Sequence, residues 1–416
     1  MQLTREEQDI LAGKRGEAER LSMAIIVELG ELFGAEELIP ISQVHIDTTI
    51  YMVDAGVEFI EKLAGLGAKF SVPTQLNPSA IDLLHPEKSR VTPTLLDKCK
   101  RIEKAYLAMG AIPSWTCAPY QQGLVPRFGE QIGWGESNAI AFANSVLGAR
   151  TNRYADLMDI CMAIVGRAPR FGLHLTENRR AEILVRLEGI TEEMFADDSI
   201  YPVMGFLFGE LAGNRIAALE GVPADVSIDH LKSFSAAAAS SGAVGLFHII
   251  GVTPEAQTEQ ACFQDRAPVA VLTITPDRLR EAEERLSTAK GEGLDLVVLG
   301  CPHCSAAEVQ QVAALLEGRR ISSGVKLWII TSRAVYSWME QCGVLDILEG
   351  AGATLFSDAC PLQYPRERWD FTVAMSNSAK FANYCFSQTG LDVVIGSTRA
   401  CIQSALTGKR QRGSLW

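Results

Sequence analysis

Leu294 to Ser305 read LDLVVLGCPHCS, an apolar run that ends abruptly in Gly300, Cys301 and Pro302. Leu294 to Gly300 has the length of a buried strand, far short of the roughly 20 apolar residues of a membrane span. A helical pattern follows directly, Ser305 to Glu317. The same alternation repeats outward in both directions. AAAASSGAVGLFHIIG, APVAVLTIT, SGVKLWIITS, GATLFSDACP and LDVVIGST read as further strands, with helical patterns at Pro276 to Lys290 and Ala334 to Cys342 between them. Strands alternating with helices predict an α/β protein built on mainly parallel sheets. Chemistry in such sheets gathers at the carboxyl ends of the strands.

Nearer the amino terminus, Leu21, Ile25, Ile26 and Leu29 mark one helical face within residues 2–34. ELIPISQVHID reads as a strand ending at His45 and Asp47, followed by a helix over Ala55 to Leu66 and a strand over Lys69 to Pro73. Three regions are expected: 1–115, an amino-terminal α/β region; 116–221, mostly helical; and 222–416, an α/β parallel-sheet domain.

The 416 residues carry a formal net charge of −12. Nucleic acid and anionic membranes reward a basic face, so neither is an expected partner. The start, MQLTREEQDILAGKRGEAER, lacks the apolar core of a signal peptide, which predicts a cytoplasmic protein.

Ten cysteines in that setting read as reduced thiols. Cys161, Cys262 and Cys342 lie in apolar or helical surroundings and read as packing. Cys117 in SWTCAPY, Cys301 after LDLVVLG and Cys360 after GATLF are different, because each opens an irregular loop beside a proline. Thiolates converging from separate segments are what an iron–sulfur cluster requires. Spacing alone leaves other readings open. Cys301 and Cys304 form a CxxC pair like that of a redox protein, and with His303 they offer zinc or mononuclear iron ligands for a non-cluster metal hydrolase.

GWGESNAIAFANSVLGARTNR, 133–153, crowds Glu136, Ser137, Asn138, Arg150, Asn152 and Arg153 among small residues. Short amides, hydroxyls and arginines suit a compact anionic ligand, while a capped buried helix is the plainer explanation. HLTENRRAEI reads as a turn capping a following helix, and VAMSNSAKFANY groups Ser376, Asn377, Ser378 and Lys380, as a cap or as a ligand site. No dinucleotide fingerprint or Walker A pattern is present.

Several long segments together resemble the aconitase X family, large subunit: VDAGVEFIEKLAGLGAKFSVPTQLN, SWTCAPYQQGLVPRFGEQIGWGESNAIAFANSVLGARTNR, GRAPRFGLHLTENR, ASSGAVGLFHIIGVTPEA, VVLGCPHCS and MSNSAKFANY. The resemblance implies an aconitase-like multi-layer α/β fold around an iron–sulfur site. The small swivelling domain is absent from this chain, so a separate small subunit is the implied partner. It implies Cys117, Cys301 and Cys360 as ligands of a [2Fe-2S] or [4Fe-4S] cluster; Cys304 departs from the family pattern. The implied reaction is loss of water from a small hydroxy acid. It is either cis-3-hydroxy-L-proline, giving Δ1-pyrroline-2-carboxylate, or phosphomevalonate. A modest charged fraction with ten Cys and ten Met leans toward the first, the bacterial activity. Glu136, Ser137 and His303 are then the catalytic candidates. Ser71, Asn138, Arg150, Asn152, Arg153, Ser376 and Lys380 are candidates for binding substrate, with the base supplied by the small subunit.

Overall fold

The computed structural model describes residues 1–363 and 370–411. Its amino-terminal part holds five short strands: β1 (Leu38–Pro40), β2 (Val44–Ile46), β3 (Thr74–Leu76), β4 (Gly133–Trp134) and β5 (Arg167–Pro169). β2 lies between β3 and β4 in a parallel sheet, and β1 pairs antiparallel with β5. A second sheet, in the order β8-β7-β6-β9, is formed by β6 (Ile183–Leu187), β7 (Ala217–Glu220), β8 (His248–Ile249) and β9 (Ala270–Ile274), all parallel. The third contains β10 (Leu296–Cys304), β11 (Lys326–Thr331), β12 (Thr354–Ser357), β13 (Val373–Ser376) and β14 (Asp392–Ile395). It is parallel throughout, in the order β12-β11-β10-β13-β14. The expected α/β fold with mainly parallel sheets is therefore what the chain forms.

β10 is buried along its whole length, as a central parallel strand covered on both faces must be. Val297 and Leu299 join a core under the helices Ala306–Leu316 and Arg333–Cys342, while Leu296 and Val298 join a larger one shared with the middle sheet. A separate core runs from Ile10 to Ala168 and continues across residue 115. The middle sheet likewise uses strands on both sides of residue 221.

Several local expectations shift. Residues 2–34 form two helices, Arg5–Leu11 and Glu17–Leu32, because Gly13 and Gly16 take positive φ between them. The stretch 37–47 splits into β1 and β2, which pair in different sheets. The strand expected over 69–73 starts at Thr74, just after Pro73. The alanine-rich AAAASS is the end of a helix, Ile228–Ser241, and only His248–Ile249 is a strand. Alanine is the best helix former, and here it packs against Gly205 and Gly209, where a Cβ would come within 2.5 Å of the Phe234 and Ala238 carbonyl oxygens. HLTENRR leads into β6 instead of a helix, since ILVRL is mostly apolar with β-branched Ile183 and Val185.

Candidate active site

Two of the parallel sheets bring their carboxyl ends to one cavity of about 220 Å³. From the first sheet come Asp47 after β2, Asn77 after β3, and Glu136 and Ser137 after β4. From the third come Cys301 and His303 at the end of β10, Cys360 after β12 and Lys380 after β13. Cys117 completes the wall from the loop that follows β3 and its helix.

Each thiol is held by its backbone. Opposite Ile330 alone, Gly300 to His303 bow out of the β10 ladder, since pairing with β11 passes from Leu299↔Ile329 to Cys304↔Thr331. That bulge turns Cys301 into the cavity, and the Ser378 hydroxyl donates to its carbonyl. Cys360 is fixed by a splice between the two sheets: Ser79 N–H donates to Asp358 O at 2.7 Å, and Cys360 N–H to Ser79 O at 2.9 Å. Asp82 strengthens it by accepting from Ser357 N–H at 2.9 Å. Around Cys117, Thr116 N–H donates to Leu76 O at 2.9 Å and Asn138 Nδ2 to Cys117 O at 2.9 Å. His303 N–H reaches the Cys117 sulfur at 3.4 Å.

Glu136 caps the helix Ser137–Phe142, accepting from Ala139 N–H at 2.7 Å, and pairs with Lys380 across the cavity. Burial opposes its ionisation, but the Lys380 ammonium and the N–H groups of Ala139 and Asn138 outweigh it and hold the carboxyl below its ordinary range. Lys380 is likewise buried, yet Glu136 and the neighbouring thiols raise its pKa, so it stays charged. Asp47 behaves oppositely: burial, with Glu136 and Asp159 close by, lifts its pKa well above the usual carboxylate value. Burial pushes Cys301 up to about 12 and raises Cys117 and Cys360 as well. His303 Nε2 faces Ala359 O at 2.9 Å, and burial lowers its pKa to about 4.

Of the residues singled out from sequence, the structure brings together Cys117, Cys301, Cys360, Glu136, Ser137, His303 and Lys380. Asn138 and Ser376 stand one layer behind, the first on the Cys117 carbonyl and the second accepting from Ser378 N–H at 3.2 Å. The others lie elsewhere. Ser71 precedes β3, at the end of that sheet opposite the cavity, and donates to Ala163 O. Arg150 donates to His174 O and Asn152 to Phe171 O, so both knit one loop to another. Arg153 is exposed, its stem beside Gly245. Asp47, Asn77, Gln363, Tyr384 and Gln388 also line the cavity without having been picked out as ligand contacts. The rule that directs attention to the carboxyl ends of β10 and β12 finds Asp47 and Asn77 when applied to β2 and β3.

Cys304 sits in the opposite core from Cys301, so the CxxC pair straddles the sheet and its thiols do not share a pocket. Among the described residues, no three His, Cys, Asp or Glu side chains are grouped to hold a single metal ion. Nor is any helix there long and apolar enough to cross a membrane.

Three models of aconitase X domains match in succession: the first domain over residues 1–177, the second over 181–284 and the third over 294–407. The chain is 44% identical over 414 residues to a cis-3-hydroxy-L-proline dehydratase of Pseudomonas aeruginosa, covering 98% of this chain and 70% of that one. It is 37% identical to a phosphomevalonate dehydratase large subunit of Methanosarcina mazei, covering 99% of each. Its backbone matches the crystal structure of Thermococcus kodakaraensis aconitase X (holo-form) with a TM-score of 0.87 at 32% identity, over 97% of this chain and 100% of that one. With its three domains in order and its sheets superposable on a solved member, the chain belongs to the aconitase X family.

Proposed function

We propose that this dehydratase acts on cis-3-hydroxy-L-proline, giving Δ1-pyrroline-2-carboxylate, with an iron–sulfur cluster held by Cys117, Cys301 and Cys360. The observation that carries the reading is the convergence of these thiols, from three separate segments, on a cavity that also holds the Glu136–Lys380 pair. The residues fit such a group. Three thiols line one wall without forming a single-ion site. Lys380 lies close enough to Cys117 and Cys301 to offset the charge of thiolates. When bound, the cluster supplies a Lewis acid for the departing hydroxyl.

The remaining work falls to the chain. The substrate loses the proton on the carbon bearing its carboxylate, and the electron pair left there forms the ring double bond as the 3-hydroxyl leaves. The resulting enamine becomes the imine when a proton moves from nitrogen to C3. Lys380, kept cationic, grips negative charge on the substrate. Glu136, kept ionised and hydrogen-bonded by Ser137 at 3.2 Å, orients the ring. Asp47, kept protonated and hydrogen-bonded by Asn77, gives its proton to the departing oxygen. The base that removes the carbon-bound proton comes from a separate small subunit.

Anaerobic assay of the reconstituted chain, with and without a co-expressed small swivelling-domain partner, on both candidate substrates tests this reading. Turnover of cis-3-hydroxy-L-proline is expected; consumption of phosphomevalonate alone would transfer the assignment to that activity. Similarity across the whole length of the archaeal large subunit makes that second substrate a necessary arm.

A further inference from the structure

β11 ends at Thr331, Ser332 caps the helix Arg333–Cys342 that follows, and these three residues touch the chain beside every thiol of the cavity. Thr331 Oγ1 donates to the carbonyl of Cys304 at 2.7 Å, at the foot of the bulge that carries Cys301. Ser332 Oγ accepts from Gln122 Nε2 at 2.6 Å, in the loop that follows Cys117. Arg333 reaches furthest. Its Nε meets both carboxylate oxygens of Asp358 at 2.8 Å, and Nη2 reaches Glu103 at 3.2 Å. The guanidinium lies 5.9 Å from the centroid of the Trp115 ring.

Asp358 and Trp115 stand two residues before Cys360 and Cys117, and both take left-handed backbone, with φ 62° and 43°. Non-glycine residues keep that conformation only where their surroundings over-determine it. Both are also fully buried. One planar, permanently charged fork thus braces the two turns that aim two of the thiols. We propose that Arg333 is a positioning residue for the cluster ligands, fixing Cys117 and Cys360 relative to each other through Trp115 and Asp358. The proposal rests on the cluster reading above.

The test uses the full 416-residue chain with Arg333→Met, Arg333→Lys and Asp358→Asn. Arg101→Met is the control, because it breaks another arginine–carboxylate pair, Arg101 Nε and Nη2 on Glu61, outside the cavity lining. One readout is iron and acid-labile sulfide per chain after anaerobic reconstitution, with the rate of iron loss to a chelator. The other is alkylation of each cysteine by iodoacetamide in the metal-free protein, read by peptide mass spectrometry. In Arg333→Met, iron loss is expected to quicken by roughly 10- to 100-fold, as when partners behind a metal ligand are removed. Cys117 and Cys360 should become more reactive while the buried Cys161 and Cys401 keep parental rates. Arg333→Lys, which keeps the charge and loses the fork, should fall between, Asp358→Asn should shift the same way, and Arg101→Met should match the parent.

Parental iron retention in both Arg333 variants would overturn the proposal. So would a uniform rise at every cysteine, which is general loosening and not ligand positioning. Should Arg333→Met fail to fold, the lysine and Asp358→Asn variants still decide. A parent chain that takes up neither iron nor sulfide would overturn the cluster reading itself.

Discussion

Gly300 offers the sharpest test of how the Cys301 bulge is built. A Cβ at this position would lie 2.1 Å from the Ile330 carbonyl oxygen, 2.9 Å from its carbon and 3.1 Å from its nitrogen. These are main-chain atoms of β11, fixed in register between β10 and β12, so they cannot swing aside as a side chain would. Gly300→Ala therefore meets two costs. Holding an L-residue at φ 107° costs about 1 to 3 kcal/mol, and forcing the strands apart costs about 1 to 3 kcal/mol more. Gly16 separates them, since its φ is 109° and nothing lies within 4 Å of its Cβ position. Unfolding entropy of about 2.1 cal/mol/K per residue gives about 0.9 kcal/mol/K for the chain. The combined loss of about 2 to 6 kcal/mol then lowers Tm by about 2 to 7 °C for Gly300→Ala, against about 1 to 3 °C for Gly16→Ala. Thermal unfolding of the two metal-free variants beside the parent measures both. Equal shifts would show that the Ile330 carbonyl imposes nothing, and the account of the bulge would fail.

Replacing Cys301 or Cys360 by Ser is expected to abolish iron and sulfide uptake together with turnover while leaving the circular dichroism spectrum unchanged; full activity in Cys360→Ser would sink the ligand assignment. Glu136→Gln strands the buried Lys380 ammonium, and an unpaired buried charge costs about 3 to 5 kcal/mol. Turnover should drop by roughly 10²-fold, the cost of a misplaced ring. Adding Lys380→Met should restore part of the stability and none of the turnover, as thermal unfolding and steady-state kinetics will tell. His174 is buried, and with Arg179 and Arg150 near it its pKa falls from 6.5 to about 3. The neutral form is the one the fold holds, so its contribution is present above pH 6.5 and is lost as pH falls toward 3. Asp159, raised by burial to about 6, runs the other way, losing its contribution as pH rises from about 4 through 6. The Tm–pH curve of His174→Gln should therefore be flatter than the parent's below pH 6.5, and parallel curves would refute the assignment.

The strand-end cysteines were legible because their signal is local: an apolar run, a break, then a cysteine followed by a proline. Lys380 and Glu136 were legible as chemistry but not as a pair, since 244 residues separate them and only the meeting of two sheets joins them. Arg150, Asn152 and Arg153 misled for the same reason. Their composition suits an anionic ligand, but the carbonyls of Phe171 and His174 occupy Asn152 and Arg150 first. The segment AAAASS reads as a strand because periodicity over a short apolar run does not separate helix from strand, whereas the packing of Gly205 and Gly209 against it does. Arg333 carried no signal in sequence, since its meaning lies in three partners drawn from distant segments.

The splice between Ser79 and residues 358–360 has a consequence for synthesis. The core from Ile10 to Ala168 contains its own helices and strands and leaves the ribosome before β10 exists. Cys117 belongs to that early part, yet its sulfur contacts His303, 186 residues later, and its companion Cys360 comes later still. A nascent chain therefore carries a single thiol at a half-built wall until Cys301 is made, and an incomplete set until Cys360 follows. Capture of any group that needs all three must be among the last events of maturation. On the cluster reading proposed above, iron supply and completion of this wall act on the same late step, so scarcity of one is felt as slowness of the other.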